Sequence, residues 1–320
     1  MSLDNPKVVV VGAGAIGGLF GGLLSEGGLD VTLLDVNRTH VDAIRAQGLR
    51  IVGYGGDRSI NVKATTDPAE AGPADVAIIQ CKAMHTETAV RAAMPIFTAD
   101  TVAVSFQNGL GNEEAIARVI GEDRVIGGLT AQGATVEAPG RLRNYSDLPT
   151  YIGELFGGRL GSVTPRVETI ARAFSRAGLD THGSADIRRD MWKKLLGNIG
   201  LSATSGTTDL SSAEMVVIPE LAATIHRAVD EAHAVATACG VDIPSDEKST
   251  ILDKLTSTTA GTGASKSSLC TDLRSRRATE IDYIYGTVST LGAEHGIPTP
   301  TLDTLIAIVK GLESHYLGRK

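Results

Sequence analysis

Cysteine is scarce. Cys81, Cys239 and Cys270 are the only three in 320 residues, odd in number, far apart and outside any CxxC pair. That spacing argues against a disulfide framework or a cysteine metal site and points to the reducing cytoplasm. The seven histidines lack metal-ligand spacing as well; His226 and His233 stand seven apart on one predicted helix and read as packed or surface groups, so no metal is expected. An excess of positive charge is also missing. With 30 Lys+Arg against 37 Asp+Glu, the net charge of -7 repels nucleic acid and anionic membrane, which leaves a small molecule as the expected partner. No internal repeat or low-complexity linker interrupts the chain, although residues 256–268, TSTTAGTGASKSS, read as a mobile small-residue loop. A hydrophobic content of 42% over this length is enough for two cores and excludes disorder.

One uncharged run is long. Residues 8–24, VVVVGAGAIGGLFGGLL, approach the length of a membrane span, but six of them are glycines. Glycine costs about 1 kcal/mol in a helix interior, and the leading valines prefer a strand. A strand over Val8–Val11 and a helix to about Ser25 account for the run better, with Gly12, Gly14 and Gly17 forming GxGxxG at the turn. The first glycine permits the tight turn. The second lets the backbone N–H groups around Ala15 and Ile16 approach a pyrophosphate, and the third lets the helix sit close to the strand. A second apolar strand, Val31–Leu34, ends in Asp35, about 20 residues on, where a dinucleotide site places the acid for the adenosine ribose hydroxyls.

The same alternation continues. ADVAIIQCKA and DTVAVSFQNG each read as a buried strand ending in polar residues, with helices near 86–94 and 113–120, so a parallel, doubly wound sheet is predicted. Ligands in such sheets sit beyond the carboxyl ends of the strands, which places Lys82 and Asn108 at the cofactor cleft. After residue 125, short runs broken by Pro-Gly and Asp-Leu-Pro predict antiparallel strands added to the sheet edge. From about Asp186 only helical patterns remain, including Glu220–Ala238, Asp272–His295 and Thr301–His315, with Gly240 and Gly296 as stops. The expected fold is α/β: a Rossmann-type dinucleotide-binding domain over 1–183 and an all-helical domain over 184–320.

Within the helical part, MWKKLLGNIG at 191–200 places Lys194 and Asn198 four residues apart on one helical face. Taken alone, such a lysine reads as a solvated surface charge. The wider pattern changes that reading. The glycine turn, CKA at 81–83, QNGLGNEE at 107–114, MWKKLLGN at 191–198, SSL at 267–269 and RATEIDYIYG at 277–286 together resemble the ketopantoate reductase family, in the family's order and over nearly the whole chain. The resemblance implies NAD(P)H-dependent reduction of 2-dehydropantoate to (R)-pantoate in pantothenate biosynthesis. It implies Lys194 as the catalytic lysine, Glu280 as the substrate-side carboxylate, Lys82 and Asn108 at the cofactor, and Asn198 and Ser268 at the substrate. Some family members associate as homodimers through the helical domain.

Two positions depart from the family pattern. Ser202 stands where the family often has a further Asn, which keeps open another 2-oxo acid, 2-hydroxy acid or opine-type dehydrogenase of the same architecture. Asp35 stands where a basic residue commonly holds the NADPH phosphate, so NADH is favoured here although NADPH is the family norm; Arg38, three positions on, is the nearby guanidinium able to capture a phosphate. The chemistry fits the residues. An ammonium at Lys194 polarises a ketone oxygen and then donates its proton, a role worth about 10²- to 10⁴-fold. Lys193, one position round the helix, is then the solvated lysine. On a helix from about Asp272, Glu280 shares a stripe with Tyr283, Ile284, Thr287 and Leu291 and faces inward, toward substrate hydroxyls or an ion pair with Arg276 or Arg277.

Overall fold

The valine run folds as a buried strand. In the computed structural model, which describes residues 3–256 and 266–318, Val8–Val11 forms β1 and Ala15–Glu26 forms helix α1. The chain divides into two compact units, Met1–Gln107 with Asn112–Ile187, and Asn108–Gly111 with Arg188–Lys320. After α1 the first unit continues through β2 (Val31–Leu34), α2 (Arg38–Gln47), β3 (Leu49–Gly53), β4 (Arg58–Ile60), β5 (Lys63–Thr65), α3 (Pro68–Ala71) and β6 (Val76–Ile79). Then come α4 (Thr86–Ala92), β7 (Val102–Ser105), α5 (Asn112–Ile120), β8 (Val125–Thr130), β9 (Ala134–Ala138), β10 (Arg141–Asn144), β11 (Thr150–Glu154), α6 (Pro165–Arg176) and β12 (Thr181–Gly183).

Eight of these strands form one sheet in the order β12-β11-β8-β7-β6-β1-β2-β5, parallel except where β11 runs against β8. Alternate side chains feed two cores. Val8, Val10 and Leu33 pack with Leu19, Phe20 and Leu24 of α1, while Val9, Val11 and Leu34 pack on the other face with Val90 of α4 and Ile116 of α5. The expected antiparallel addition at the edge is met by β11. It is not met by β9 and β10, which join β3 and β4 in a separate four-stranded sheet, β4-β3-β10-β9. Their short alternating runs carry no record of which partner they pair with.

The second sheet accounts for the glycines of α1. A Cβ at Gly21 would collide with Leu33 of the main sheet, whereas Cβ atoms at Gly18 and Gly22 would lie 2.8 Å from Leu142 and 2.9 Å from Ile51 of the second. The helix is pressed between two sheets, so one small-residue stripe faces each. This is also how the uncharged run at 8–24 is used: among the described residues no helix is long and apolar enough to cross a membrane.

In the second unit, α7 (Ile187–Thr208) buries Trp192, Leu195, Leu196 and Ile199 against Ile225 and Val229 of α9 (Pro219–Ala238). The remaining helices are α8 (Ser212–Val216), α10 (Ser245–Thr256), α11 (Ser268–Arg274), α12 (Thr287–His295) and α13 (Pro300–Glu313). Gly240 (φ 76°) follows α9 and Gly296 (φ 69°) ends α12, the two predicted stops. Most of the 256–268 loop lies outside the described residues. The helix expected over Asp272–His295 is interrupted. α11 closes with Arg276 N–H on the Leu273 carbonyl (3.0 Å) and Arg277 N–H on the Asp272 carbonyl (2.9 Å), with Arg276 left-handed at φ 52°. Glycine usually takes that position, so the stop has no sequence signal. Helix resumes after Glu280, its first turn Asp282–Gly286 being π-helical before α12.

Candidate active site

The glycine turn after β1 is tight, and two of its three glycines have no room for a side chain. Gly12 has φ 99°, and a Cβ there would lie 2.6 Å from the Cys81 nitrogen; a Cβ at Gly17 would collide with the Gly12 carbonyl oxygen. Gly14 differs. A Cβ there meets nothing within 4 Å, and as the residue before α1 it offers no side chain to cap the first-turn N–H groups of Ala15, Ile16 and Gly17. The steric contrast is testable. Gly17→Ala is expected to cost about 1–3 kcal/mol by overpacking against backbone, and Gly14→Ala to stay within about 0.5 kcal/mol of wild type; thermal unfolding of the two variants checks both.

Asp35, half-buried beyond β2, is fixed by two backbone donors: Ala13 N–H reaches Oδ2 at 2.7 Å and Asn37 N–H reaches Oδ1 at 2.8 Å. A carboxylate held this way keeps further lone pairs able to accept from other donors. Arg38 is exposed at the start of α2. Lys82, half-buried, follows β6 and its carbonyl accepts from His85 N–H at 2.8 Å, opening a short 3₁₀ turn. Beside it is a residue that sequence reasoning overlooked. Gln107 is 4% exposed, and its Nε2 donates to the Cys81 carbonyl (2.7 Å) and to Thr86 Oγ1 (2.8 Å), tying the residues that precede Asn108 and Lys82. Its only signal was a polar side chain at the end of the apolar VAVSF run.

In the second unit, Lys194 Nζ donates to Asn108 Oδ1 at 2.9 Å. The loop bearing Asn108 is held by Leu110 N–H on the Tyr283 carbonyl (3.0 Å), and Gly109 (φ 86°) passes so close to that carbonyl that a side chain would strike it. Asn108–Gly111 thereby docks on the first turn of the helix that starts after Glu280. Glu280 is 8% exposed, inward as expected, but because it opens that helix rather than riding mid-helix on a stripe; its carbonyl accepts from Tyr283 and Ile284 N–H, both at 3.0 Å. Arg276 and Arg277 are both exposed, and Arg277 pairs with Asp272 at 3.0 Å.

Lys193 is not simply solvated. It reaches Glu247 Oε2 at 2.8 Å in an ion pair that Arg189 shares, because α10 brings an acid alongside this face of α7. Asn198 is half-buried one turn beyond Lys194, and Ser202 is buried at 5% exposure. Ser268 is exposed at the first residue of α11; the preceding Ser267 is the cap, accepting from Cys270 N–H (3.0 Å) and donating to the Ser202 carbonyl (3.1 Å). Tyr285 was also missed. Its buried hydroxyl accepts from Ala203 N–H at 2.9 Å and donates to the Ile199 carbonyl, bonding both members of one i→i−4 pair of α7 below Asn198. Burial pushes its phenol well above the usual range, so it acts as a brace and not as an acid at neutral pH. Among the described residues, no group of three His, Cys, Asp or Glu is arranged to hold a metal ion.

Comparison with known proteins identifies the family. Residues 8–157 match the family described as ketopantoate reductase PanE/ApbA, and residues 186–313 match its C-terminal counterpart. The chain belongs to the ketopantoate reductase family. Family members are oxidoreductases, and the two matched segments follow the division into a sheet unit and a helical unit. The chain is 32% identical over 305 residues to the 2-dehydropantoate 2-reductase of Halobacterium salinarum, covering 95% of this chain and 98% of that one. A ketopantoate reductase of the family from Ralstonia eutropha superposes with a TM-score of 0.88 at 28% identity, covering 97% and 99%. The structure of D-mandelate dehydrogenase with NADH and anilino(oxo)acetate superposes at 0.90 with 25% identity over the same shares.

Proposed function

We propose that this protein reduces 2-dehydropantoate to (R)-pantoate with a reduced nicotinamide dinucleotide, NADH in preference to NADPH. The observation that carries the reading is the Lys194–Asn108 hydrogen bond, an ammonium held by a neutral amide oxygen on the helix that also bears Asn198. A reduced nicotinamide, when bound, supplies hydride to the ketone carbon. The chain's part is the proton. Lys194 polarises the ketone oxygen by donating a hydrogen bond, gives up its Nζ proton as that oxygen gains negative charge, and is reprotonated from solvent. Asn108 orients the ammonium without altering its charge. Asn198, Ser202 and Ser268 are the polar groups for the substrate's carboxylate and hydroxyl, and Glu280, largely out of water, accepts from a hydroxyl more strongly than a neutral group would.

The dinucleotide fits the first unit: an uncapped helix start, a glycine with open space before it, and an acid at the ribose position. Lys82 completes that end of the sheet. Residues 1–183 serve the cofactor and 184–320 the substrate, in the cytoplasm, where the three cysteines, none of them in a disulfide, stay reduced. The test is a steady-state comparison of 2-dehydropantoate with a panel of 2-oxo acids, including an aryl one. A kcat/KM at least about tenfold above every other member is expected. Equal low rates across the panel, or a preference for the aryl acid, would overturn the pantoate assignment.

A further inference from the structure

We propose that His40 is a positioning residue for the dinucleotide turn, setting the direction in which the Gly14 N–H points. The inference rests on the reading of that turn as the dinucleotide site. His40 lies five residues beyond Asp35, in the first turn of α2, where Asn37 caps the helix by accepting from His40 N–H at 3.2 Å. The side chain is 4% exposed and does not meet solvent as its neighbours Arg38 and Thr39 do. Its two ring nitrogens are both engaged by backbone. Nε2 lies 3.0 Å from the Ala13 carbonyl oxygen, and Nδ1 lies 3.1 Å from the Gly140 nitrogen in the β9–β10 turn.

Those partners fix the protons. A backbone N–H only donates and a carbonyl only accepts, so Nδ1 is the bare acceptor and Nε2 carries the hydrogen; the ring is the neutral Nε2–H tautomer. The Gly140 end is itself anchored, since its carbonyl accepts from Arg50 N–H at 2.8 Å. His40 therefore transmits the position of the second sheet to Ala13. Peptide groups are planar and trans, so the Ala13 carbonyl and the Gly14 N–H belong to one plane and point in opposite directions. Drawing the carbonyl toward His40 aims the Gly14 N–H the other way. Asp35 does the same for the preceding plane by accepting from Ala13 N–H. The β2–α2 corner thus sets both peptide planes around Ala13.

Two substitutions separate the halves of this device. In His40→Asn the amide oxygen takes the place of Nδ1 and keeps the Gly140 contact, but no atom reaches Ala13; in His40→Gln the amide nitrogen takes the place of Nε2 and keeps the Ala13 contact. His40→Asn is expected to raise the NADH dissociation constant, by fluorescence titration, and the KM for NADH about tenfold, with kcat at saturating NADH within about twofold of wild type. His40→Gln should stay within about threefold of wild type in both constants. Equal weakening in the two variants, or an unchanged dissociation constant in His40→Asn with a lowered Tm, would overturn the proposal. Wild-type protein that binds neither NADH nor NADPH would overturn the dinucleotide reading as well. A measurement on the unaltered chain stands apart from folding of the variants: imidazole ¹⁵N shifts are expected to report a protonated Nε2 and a bare Nδ1 at His40, and the opposite tautomer would sink the idea.

Discussion

Replacing Lys194 by alanine is expected to lower kcat for 2-oxo acid reduction by at least about 10²-fold while leaving NADH affinity within about twofold of wild type. The asymmetry follows from where the ammonium acts. Its hydrogen bond to Asn108 exists in the protein without substrate, whereas in the proposed mechanism its interaction with the ketone oxygen strengthens only as negative charge develops there, so its removal would raise the barrier more than it weakens binding. Lys193→Ala is the control. That lysine pairs with Glu247, which keeps Arg189 as a partner after the change, and it lies on another face of α7. A surface ion pair of this kind is worth about 0–1 kcal/mol, so activity should stay near wild type. Steady-state kinetics with a separate NADH titration distinguish the outcomes. Two equally mild variants, or a Lys194→Ala protein with normal kcat, would remove the acid from this helix.

Asp35 carries the second large effect. Wild-type kcat/KM is expected to favour NADH over NADPH, and Asp35→Asn to shrink that ratio by about tenfold or more. A carboxylate facing a 2′-phosphate is repelled by about 4 kcal/mol per pair of unit charges at 4 Å and an effective dielectric of 20; if salt leaves a third of that, the discrimination is still about tenfold. The geometry strengthens the case. Both carboxylate oxygens are tied to backbone N–H groups, so the charge cannot swing aside to admit a phosphate. Arg38 opposes it as an exposed cation at the start of α2. Asparagine is the informative substitution because it removes the charge and keeps one carbonyl acceptor for the turn, whereas alanine would free Ala13 N–H and weaken both dinucleotides together. A wild-type ratio favouring NADPH would assign the phosphate to Arg38 and overturn the claim.

Much of this architecture was legible in local pattern. Four valines beside GxGxxG, then an apolar strand ending in an acid, can hardly be anything but a strand, a tight turn, a helix and a second parallel strand, because Gly12 and Gly17 meet steric demands at the turn itself. The capped or glycine-stopped ends of α9 and α12 were legible for the same reason. The break before Glu280 was not. Arg276 adopts a left-handed conformation that residue type disfavours, and only the surrounding contacts hold it there.

The sequence by itself determined the kinds of chemistry present: a glycine-rich turn between a strand and a helix, an acid after the second strand, and a lysine and asparagine one turn apart on one helix. Those properties depend on residues within a few positions of one another, and chain geometry alone relates them. Tertiary structure decided which distant groups meet. It placed β10 rather than the main sheet against Gly18, put Asn108 on Lys194 across 86 positions, and bridged Ala13 to Gly140 through His40 across 27 and 100. None of these pairings is encoded by spacing, because the energy that selects them comes from burying whole faces, and the individual hydrogen bonds form only where that burial brings their partners together.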